Sequence, residues 1–281
     1  MIKTSFGELW HEVYGQDRKS TPLLVVHGGP GFLSMPQTVS DLADERPVHF
    51  YDQLGCGRSD RAPSPRIYTP EYYVDELATV IEKLGFKEFL LMGFSWGTML
   101  IVLYYLKYRP RGLKALLLCA PYLSTPVWDK DQRRNIELLP DRTKEAILKG
   151  ERTLNFDEAY HHAVMEYYKK HLCRLDPWPD FVSSAFEKLN MDIYRRLWGE
   201  SEFTISGLLK DYDLIPRLKE IDIPSLFTCG EYDEADPGTV DLYHKATPNS
   251  VMAVIPNASH LHQIEDPALF LKAIRTFLKN F

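Results

Sequence analysis

Cysteine is sparse in this chain of 281 residues: four, at positions 56, 119, 173 and 229, with no C-x-x-C pair and no regular spacing. That excludes a zinc site built on paired cysteines and a disulfide framework, and predicts four free thiols. An excess of basic charge is lacking too, since 33 Lys and Arg stand against 39 Asp and Glu, a formal net charge of −6. This balance offers no footprint for nucleic acid or an anionic membrane surface, and a small polar or cationic ligand is the expectation. The opening stretch MIKTSFGELWHEVYG has no apolar core of signal-peptide length, which makes the cytoplasm the expected compartment. Internal repeats and low-complexity segments are absent.

One long apolar run is present. Phe89 to Leu106 carries no charged side chain for eighteen residues, about the lower limit for a membrane-spanning helix. Gly93, Ser95, Gly97 and Thr98 interrupt it, and the pattern reads instead as a short buried strand, Phe89 to Met92, turning sharply into a buried helix from about Trp96. Around it, apolar runs alternate with helical segments: LLVVH at 23–27, PVHFYD at 47–52, YVDELATVIEKLG at 73–85 and LKALLLCAP at 113–121. Such alternation predicts parallel strands joined by crossover helices that cover both faces of the sheet.

From about Leu123 the texture changes to charged and aromatic side chains at helical spacing, as in DEAYHHAVMEYYKKHL, with no strong strand run. The alternation resumes with PSLFTCG at 224–230, a helix near 238–246, SVMAVIP at 250–256 and a last helix from about Pro267. The prediction is an α/β core of residues 1–122 and 213–281, with a mostly parallel sheet, interrupted by a helical cap over 123–212.

GFSWG at 93–97 matches G-x-S-x-G directly after the strand and directly before the helix, the context that gives the motif meaning. Ser95 is therefore the candidate nucleophile. A serine on so sharp a turn is strained, and glycine two residues to either side leaves room for the strand and the helix to pass. The helix N-terminus faces any negative charge developing there, with the Trp96 N–H as one donor. A second donor is expected from the loop after an earlier strand. HGGPG at 27–31 follows LLVV in that place, and Gly29 is the candidate.

With such an elbow the chain order is serine, acid, histidine. Four carboxylates, Glu231, Asp233, Glu234 and Asp236, crowd the end of PSLFTCG; like charges this close raise one another's pKa, so the stretch is either solvated or arranged for chemistry. Asp233 ends the late strand as the acid should. His260 and His262 both follow the last strand, in NASHLH, and spacing alone leaves both open.

Other signals are rejected. GCGRSD at 55–60 opens like a dinucleotide fingerprint but ends in Asp60 where Gly or Ala is needed. His11-Glu12 begins a zincin-like motif, yet Gly15 stands where the second histidine belongs. His161-His162 falls in the helical insertion and reads as a solvated pair. No metal and no cofactor are expected.

HGGPG at 27–31, DQLGCGRSD at 52–60, GFSWGTML at 93–100, ESEFTISG at 200–207, GEYDEADP at 230–237 and ASHL at 258–261 together resemble the proline iminopeptidase family of α/β-hydrolases, and most closely its branch with the tricorn-interacting aminopeptidase. The matching blocks run from about residue 20 to the C-terminus. The resemblance implies Ser95 as nucleophile, Asp233 as orienting acid and His260, not His262, as base. It further implies that Glu202, in ESEF, and Glu234 hold the free amino group of the substrate, with Glu200 the alternative to Glu202. Glu231 and Asp236 are left as solvated, structural acids. Neighbours on an extended segment point to opposite sides, so Asp233 is expected to reach His260 while Glu234 faces the pocket. A protonated N-terminal proline offers two N–H donors and a positive charge, which two carboxylates satisfy.

The expected function is a serine aminopeptidase that releases an N-terminal residue, proline or a small apolar one, from short peptides through an acyl-enzyme. An amino-acid amidase or arylamidase would use the same groups. An esterase or lactonase would leave two buried glutamates without a cation, which is costly. The expected partners are short peptides or aminoacyl amides with a free N-terminus, not nucleic acid or membrane; the oligomeric state is left open, with a monomer the simplest reading. Cys56, in a loop beside the site, predicts inactivation by bulky thiol reagents through obstruction.

Overall fold

The computed structural model describes residues 1–279 and 281. A short antiparallel pair, β1 (Ile2–Lys3) and β2 (Glu8–Leu9), precedes a seven-stranded sheet of β3 (His11–Tyr14), β4 (Leu23–Val26), β5 (Val48–Tyr51), β6 (Phe89–Phe94), β7 (Leu113–Cys119), β8 (Ser225–Gly230) and β9 (Ser250–Ile255). The order across the sheet is β3-β5-β4-β6-β7-β8-β9, and only β3 runs antiparallel to its neighbour. β4 and β8 are buried at every position, as strands covered on both faces must be.

The crossover helices are α1 (Pro70–Leu84), α2 (Trp96–Tyr108), α8 (Pro237–Ala246) and α10 (Pro267–Leu278), with the single-turn α9 (His262–Glu265) between β9 and α10. α1 follows its sequence signals closely. Thr69 Oγ1 accepts from the Tyr72 N–H at 3.2 Å, Pro70 opens the first turn, and Gly85 closes the helix in the left-handed region at φ 68°. α2 explains the charge-free run: Leu100, Ile101 and Val102 are fully buried at its centre, and the helix faces the core nearly all round. Among the described residues no helix is long and apolar enough to cross a membrane.

Between β7 and β8 the chain is helical: α3 (Thr125–Glu137), α4 (Asp141–Thr153), α5 (Glu158–His171), α6 (Asp180–Glu187) and α7 (Met191–Leu197). The two ends of this insertion meet at a neck, where the Leu214 N–H donates to the Leu123 carbonyl (2.9 Å) and the Thr125 N–H to the Tyr212 carbonyl (2.8 Å). Ile136, Ile147, Tyr160, Tyr167 and Phe203 form an apolar cluster of the insertion's own. Trp128, Ile193, Leu197 and Trp198 instead join the main core, so the insertion is anchored as well as tethered.

Two features differ from the sequence expectations. The N-terminal strands went unread because they are short and half exposed, with no periodic run to mark them. Cys56 is buried in the main core and not at an accessible site wall. The loop that carries it folds inward because Asp52 is held by the Arg58 N–H (2.9 Å), the Arg58 guanidinium (2.7 Å) and the Ser34 N–H (2.8 Å). The GCGRSD stretch thus buttresses the 27–34 loop through Arg58, which clamps Asp52 just before it.

Candidate active site

β6 ends at Phe94 and α2 begins at Trp96, which leaves Ser95 alone on the turn with φ 49° and ψ −120°. Few non-glycine residues adopt that conformation, and it survives here because the surroundings fix it. A Cβ on Gly93 would lie 2.6 Å from the carbonyl carbon and oxygen of Gly97, and a Cβ on Gly97 would run into the Val26 carbonyl of β4. Strand and helix can pass this closely only with glycine at both places. The Ser95 N–H is tied to the Cys119 carbonyl at the end of β7 (2.9 Å).

The HGGPG loop lies against this turn. A Cβ on Gly28 would stand 3.3 Å from Ser95 Cβ, and Gly29 takes φ 122°, open to glycine alone. The loop is pinned through buried His27. The Gln53 N–H donates to His27 Nε2 (3.0 Å), so the ring proton sits on Nδ1 and is donated to the Gly28 carbonyl (2.8 Å). Gln53 also donates to the His27 carbonyl (3.1 Å) and accepts from Trp96 Nε1 (3.1 Å). Burial lowers the His27 pKa and keeps the ring in this neutral form. Among the described residues the N–H groups of Gly29 and Trp96 meet no hydrogen-bond acceptor.

On the far side of the sheet's C-terminal edge, Asp233 and His260 come together. His260 Nδ1 lies 2.7 Å from Asp233 Oδ1, and the same carboxylate accepts from the N–H groups of Ala235 (2.8 Å) and Gly230 (3.2 Å). His262 points elsewhere: its Nε2 meets Thr228 Oγ1 (2.9 Å), its ring packs on Phe270, and burial pushes its pKa down to about 4. The cavity wall includes His260 and not His262.

Glu234 faces the cavity as expected, but not by way of an extended segment. The chain after β8 is a turn, not an extended strand, and Glu234 Oε1 reaches to 3.6 Å from His260 Nε2 while also lining the cavity. The imidazole is thus flanked by a carboxylate at each nitrogen. Burial works against a charged ring, yet Asp233 and Glu234 together outweigh it and hold the His260 pKa above the usual histidine range. Burial raises the Glu234 carboxyl well above the ordinary range, His260 pulling it back and Glu202 adding to the rise.

Glu202 enters the same cavity from the insertion. Tyr194 Oη donates to its Oε2 at 2.5 Å, and the Tyr160 hydroxyl accepts from its N–H at 3.3 Å. Burial raises its pKa, against the stabilising hydrogen bonds of Tyr194 and Tyr168. Glu200 is exposed at the cavity wall and engaged with Arg195 (3.1 Å). Glu231 caps the Asn257 N–H (2.8 Å), and Asp236 caps α8 through the Gly238 N–H (2.8 Å) and pairs with Arg134 (2.5 Å), both structural tasks. His161 and His162 are exposed on α5, with His161 at the edge of the cavity.

Ser95, Gly29, Glu202, Glu234 and His260 therefore share one cavity of about 400 Å³, walled mainly by Phe32, Leu33, Met35, Phe94, Leu189 and Met191. Among the described residues Ser95 Oγ forms no hydrogen bond with His260 Nε2, a separation common in ligand-free sites that tightens when substrate binds.

Several supports were invisible in the sequence. The His171 carbonyl, at the end of α5, accepts from the N–H groups of both Glu234 (3.2 Å) and His260 (3.1 Å), and Gln132 of α3 donates to the Glu234 carbonyl (3.1 Å). The insertion thereby holds the two site loops in register. Tyr194, Tyr168 and Tyr160 around Glu202 had no signal beyond the aromatic texture of the segment.

The alpha/beta hydrolase fold family model matches residues 21–267. A proline iminopeptidase of Heyndrickxia coagulans is 38% identical over 99% of this chain and 98% of its own. The crystal structure of a proline iminopeptidase from Mycobacterium smegmatis superposes with a TM-score of 0.90 at 30% identity, over 99% of this chain and 97% of that one. A structure of the protein VinJ does so with a TM-score of 0.93, also at 30% identity and with the same coverage.

Proposed function

The chain belongs to the alpha/beta hydrolase fold family and, within it, to the proline iminopeptidases, and from that premise we propose a serine aminopeptidase that releases an N-terminal proline or small apolar residue from short peptides. The observation that carries the reading is the sharing of one cavity by Ser95, His260 and two carboxylates from separate parts of the chain, Glu202 and Glu234. A substrate ammonium between those carboxylates replaces the solvent they have lost and makes a charge-assisted hydrogen bond to each.

In this reading His260, oriented by Asp233, takes the Ser95 proton as Ser95 Oγ attacks the first carbonyl of the peptide. The N–H groups of Gly29 and Trp96 hold the oxyanion, and losing one such donor typically adds about 3 kcal/mol to the barrier. His260 then gives its proton to the departing amine, and a water, activated by the same ring, frees the amino acid from Ser95. Residues 123–212 form the cap that carries Glu202 and closes the site from above, on a core of residues 1–122 and 213–281. The reading needs no cofactor, and it places the reaction in the cytoplasm on small soluble peptides or aminoacyl amides.

An arylamidase or amino-acid amidase is the second reading, favoured by the mainly apolar wall, which accommodates an aromatic leaving group. A panel of prolyl, alanyl and phenylalanyl naphthylamides against the matching tripeptides, each free and N-acetylated, tests both. Turnover of free but not acetylated substrates is the expected result; equal cleavage of free and blocked peptides sinks the assignment of Glu202 and Glu234.

A further inference from the structure

The two oxyanion donors of the reaction above come from separate segments: Gly29 lies on the loop after β4, and Trp96 opens α2. To act together both N–H groups must stand about 2.7–3.1 Å from one oxygen, so the gap between the segments has to be fixed. Packing sets its lower limit. Gly97 lies so close to the Val26 and His27 carbonyls that a Cβ there would run into both. Such a contact resists approach and does nothing against separation.

Gln53 resists separation. This buried residue, two beyond β5, donates from Nε2 to the His27 carbonyl (3.1 Å) and accepts at Oε1 from Trp96 Nε1 (3.1 Å). Among the described residues it is the only side chain hydrogen-bonded to both residues 27–31 and residues 95–98. A carbonyl only accepts and an indole N–H only donates, so a primary amide serves both where an ionised glutamate or a methionine of the same length does not.

The main chain of the same residue governs the orientation of the other donor. The Gln53 N–H donates to His27 Nε2 (3.0 Å), which leaves His27 Nδ1 to donate to the Gly28 carbonyl (2.8 Å). That carbonyl and the Gly29 N–H belong to one planar peptide group, so holding the first aims the second. Gln53 is itself held. The Cys56 N–H donates to its carbonyl (2.9 Å), and the next residue, Leu54, accepts from Tyr73 Oη (3.0 Å) and donates to Glu76 (3.1 Å).

We propose that Gln53 is a positioning residue of the oxyanion hole, its one side chain tying the segment that carries the Gly29 N–H to the residue that supplies the Trp96 N–H. This rests on the serine-hydrolase chemistry of the reading above and not on its ammonium site.

The test measures Gln53→Met against wild type on Pro-naphthylamide and on p-nitrophenyl acetate, with phenylboronic acid as an inhibitor whose tetrahedral adduct on Ser95 places an oxygen in the hole. The variant should lose about thirtyfold in kcat/KM on both substrates, short of the full loss of a donor. Inhibition by phenylboronic acid should weaken by a similar factor, a readout that a merely smaller folded fraction would not move. KM for Pro-naphthylamide should stay within about threefold, because the glutamates proposed to bind the ammonium are left in place. Trp96→Phe removes the indole donor and keeps the backbone N–H; alone it should cost about fivefold, and in the Gln53→Met background less than about twofold more, since the bond is already gone. A loss confined to Pro-naphthylamide, an unchanged boronic acid affinity or fully additive variants overturn the proposal. If Gln53→Met does not fold, Trp96→Phe alone decides, and wild-type kinetics and boronic acid affinity in it overturn the proposal. Wild-type turnover of the ester without turnover of Pro-naphthylamide overturns the aminopeptidase reading instead, and Gln53 is then decided on the ester.

Discussion

Nε2 of His260 lies 3.6 Å from Oε1 of Glu234, with both side chains buried. The carboxylate proposed to receive the substrate ammonium therefore also faces the base. In the proposed reaction, Glu234 favours the protonated ring while the ammonium is absent, and the ammonium's positive charge cancels that effect and frees His260 to accept the Ser95 proton. The other groups around His260 are Asp233 on Nδ1, Glu265 and His262 on its own segment, and Glu202, Trp128 and the His171 carbonyl from the insertion. Glu234→Gln should shift the acid limb of kcat/KM for a neutral ester such as p-nitrophenyl acetate to lower pH by about one unit, since loss of a nearby opposite charge lowers a histidine pKa. On Pro-naphthylamide the same variant, like Glu202→Gln, should lose about 2–3 kcal/mol of kcat/KM, the scale of a charged hydrogen bond. An unmoved ester profile rejects the coupling.

Ser95, Asp233 and His260 should behave as one unit. Ser95→Ala, Asp233→Ala and His260→Ala are each expected to lower kcat by a factor of at least about 10⁴ while the protein keeps its circular dichroism, and the double variants should be little worse than the singles. Near-normal turnover by any single variant removes that residue from the set.

The elbow glycines are structural. Because a Cβ at Gly97 meets the Val26 backbone carbonyl and not a movable side chain, Gly97→Ala should cost about 2–3 kcal/mol, read as a lowered midpoint in urea. A stability equal to wild type contradicts the close passage of α2 over β4.

Thiol reagents should leave the enzyme alone. All four cysteines are buried, and burial raises the Cys56 thiol far above its ordinary range, with Glu76 and Asp52 adding to the rise. The native protein should therefore show no fast reaction with a bulky aromatic disulfide and four equivalents in denaturant, contrary to the obstruction expected from the loop position of Cys56. Rapid loss of activity on treatment would restore that expectation.

Acid should destabilise the fold through its neutral histidines. Burial lowers both His262 and His49 to about 4, and His49 also contacts His11 at 3.0 Å, where two protonated rings cannot coexist. Folded pKa values below the unfolded 6.5 mean that the stabilising contribution is complete above pH 6.5 and is lost as pH falls from 6.5 towards 4. For fully buried His262 the loss by pH 4.5 is about 2 kcal/mol. Urea unfolding at pH 7, 5.5 and 4.5 of the wild type and of His262→Gln checks this, because the carboxyls that burial raises, Glu202 and Glu234, act in the opposite sense in both proteins; a pH dependence unchanged by the substitution contradicts it.

The sequence by itself determined the alternation of strands and helices from residue 23 onward, the helical stretch between β7 and β8, and the elbow at Ser95. Those features depend on local signals: apolar runs with a fixed period and glycines flanking a serine, each acting over a few residues. Asp233 was legible because an acid at a strand end is a local pattern as well. The choice between His260 and His262 was not, since two histidines a single residue apart differ only in what surrounds them. Tertiary packing decided it by turning His262 onto Thr228 and Phe270 and His260 towards Asp233.

Glu234 at the second ring nitrogen, the tyrosines around Glu202, the backbone carbonyl of His171 that pins both site loops, and the Gln53 amide between His27 and Trp96 depend on contacts between segments tens to hundreds of residues apart. The physical reason is burial. The same glutamate keeps an ordinary pKa on a surface and a raised one when buried in a cavity wall, and only the folded chain fixes which groups then face one another.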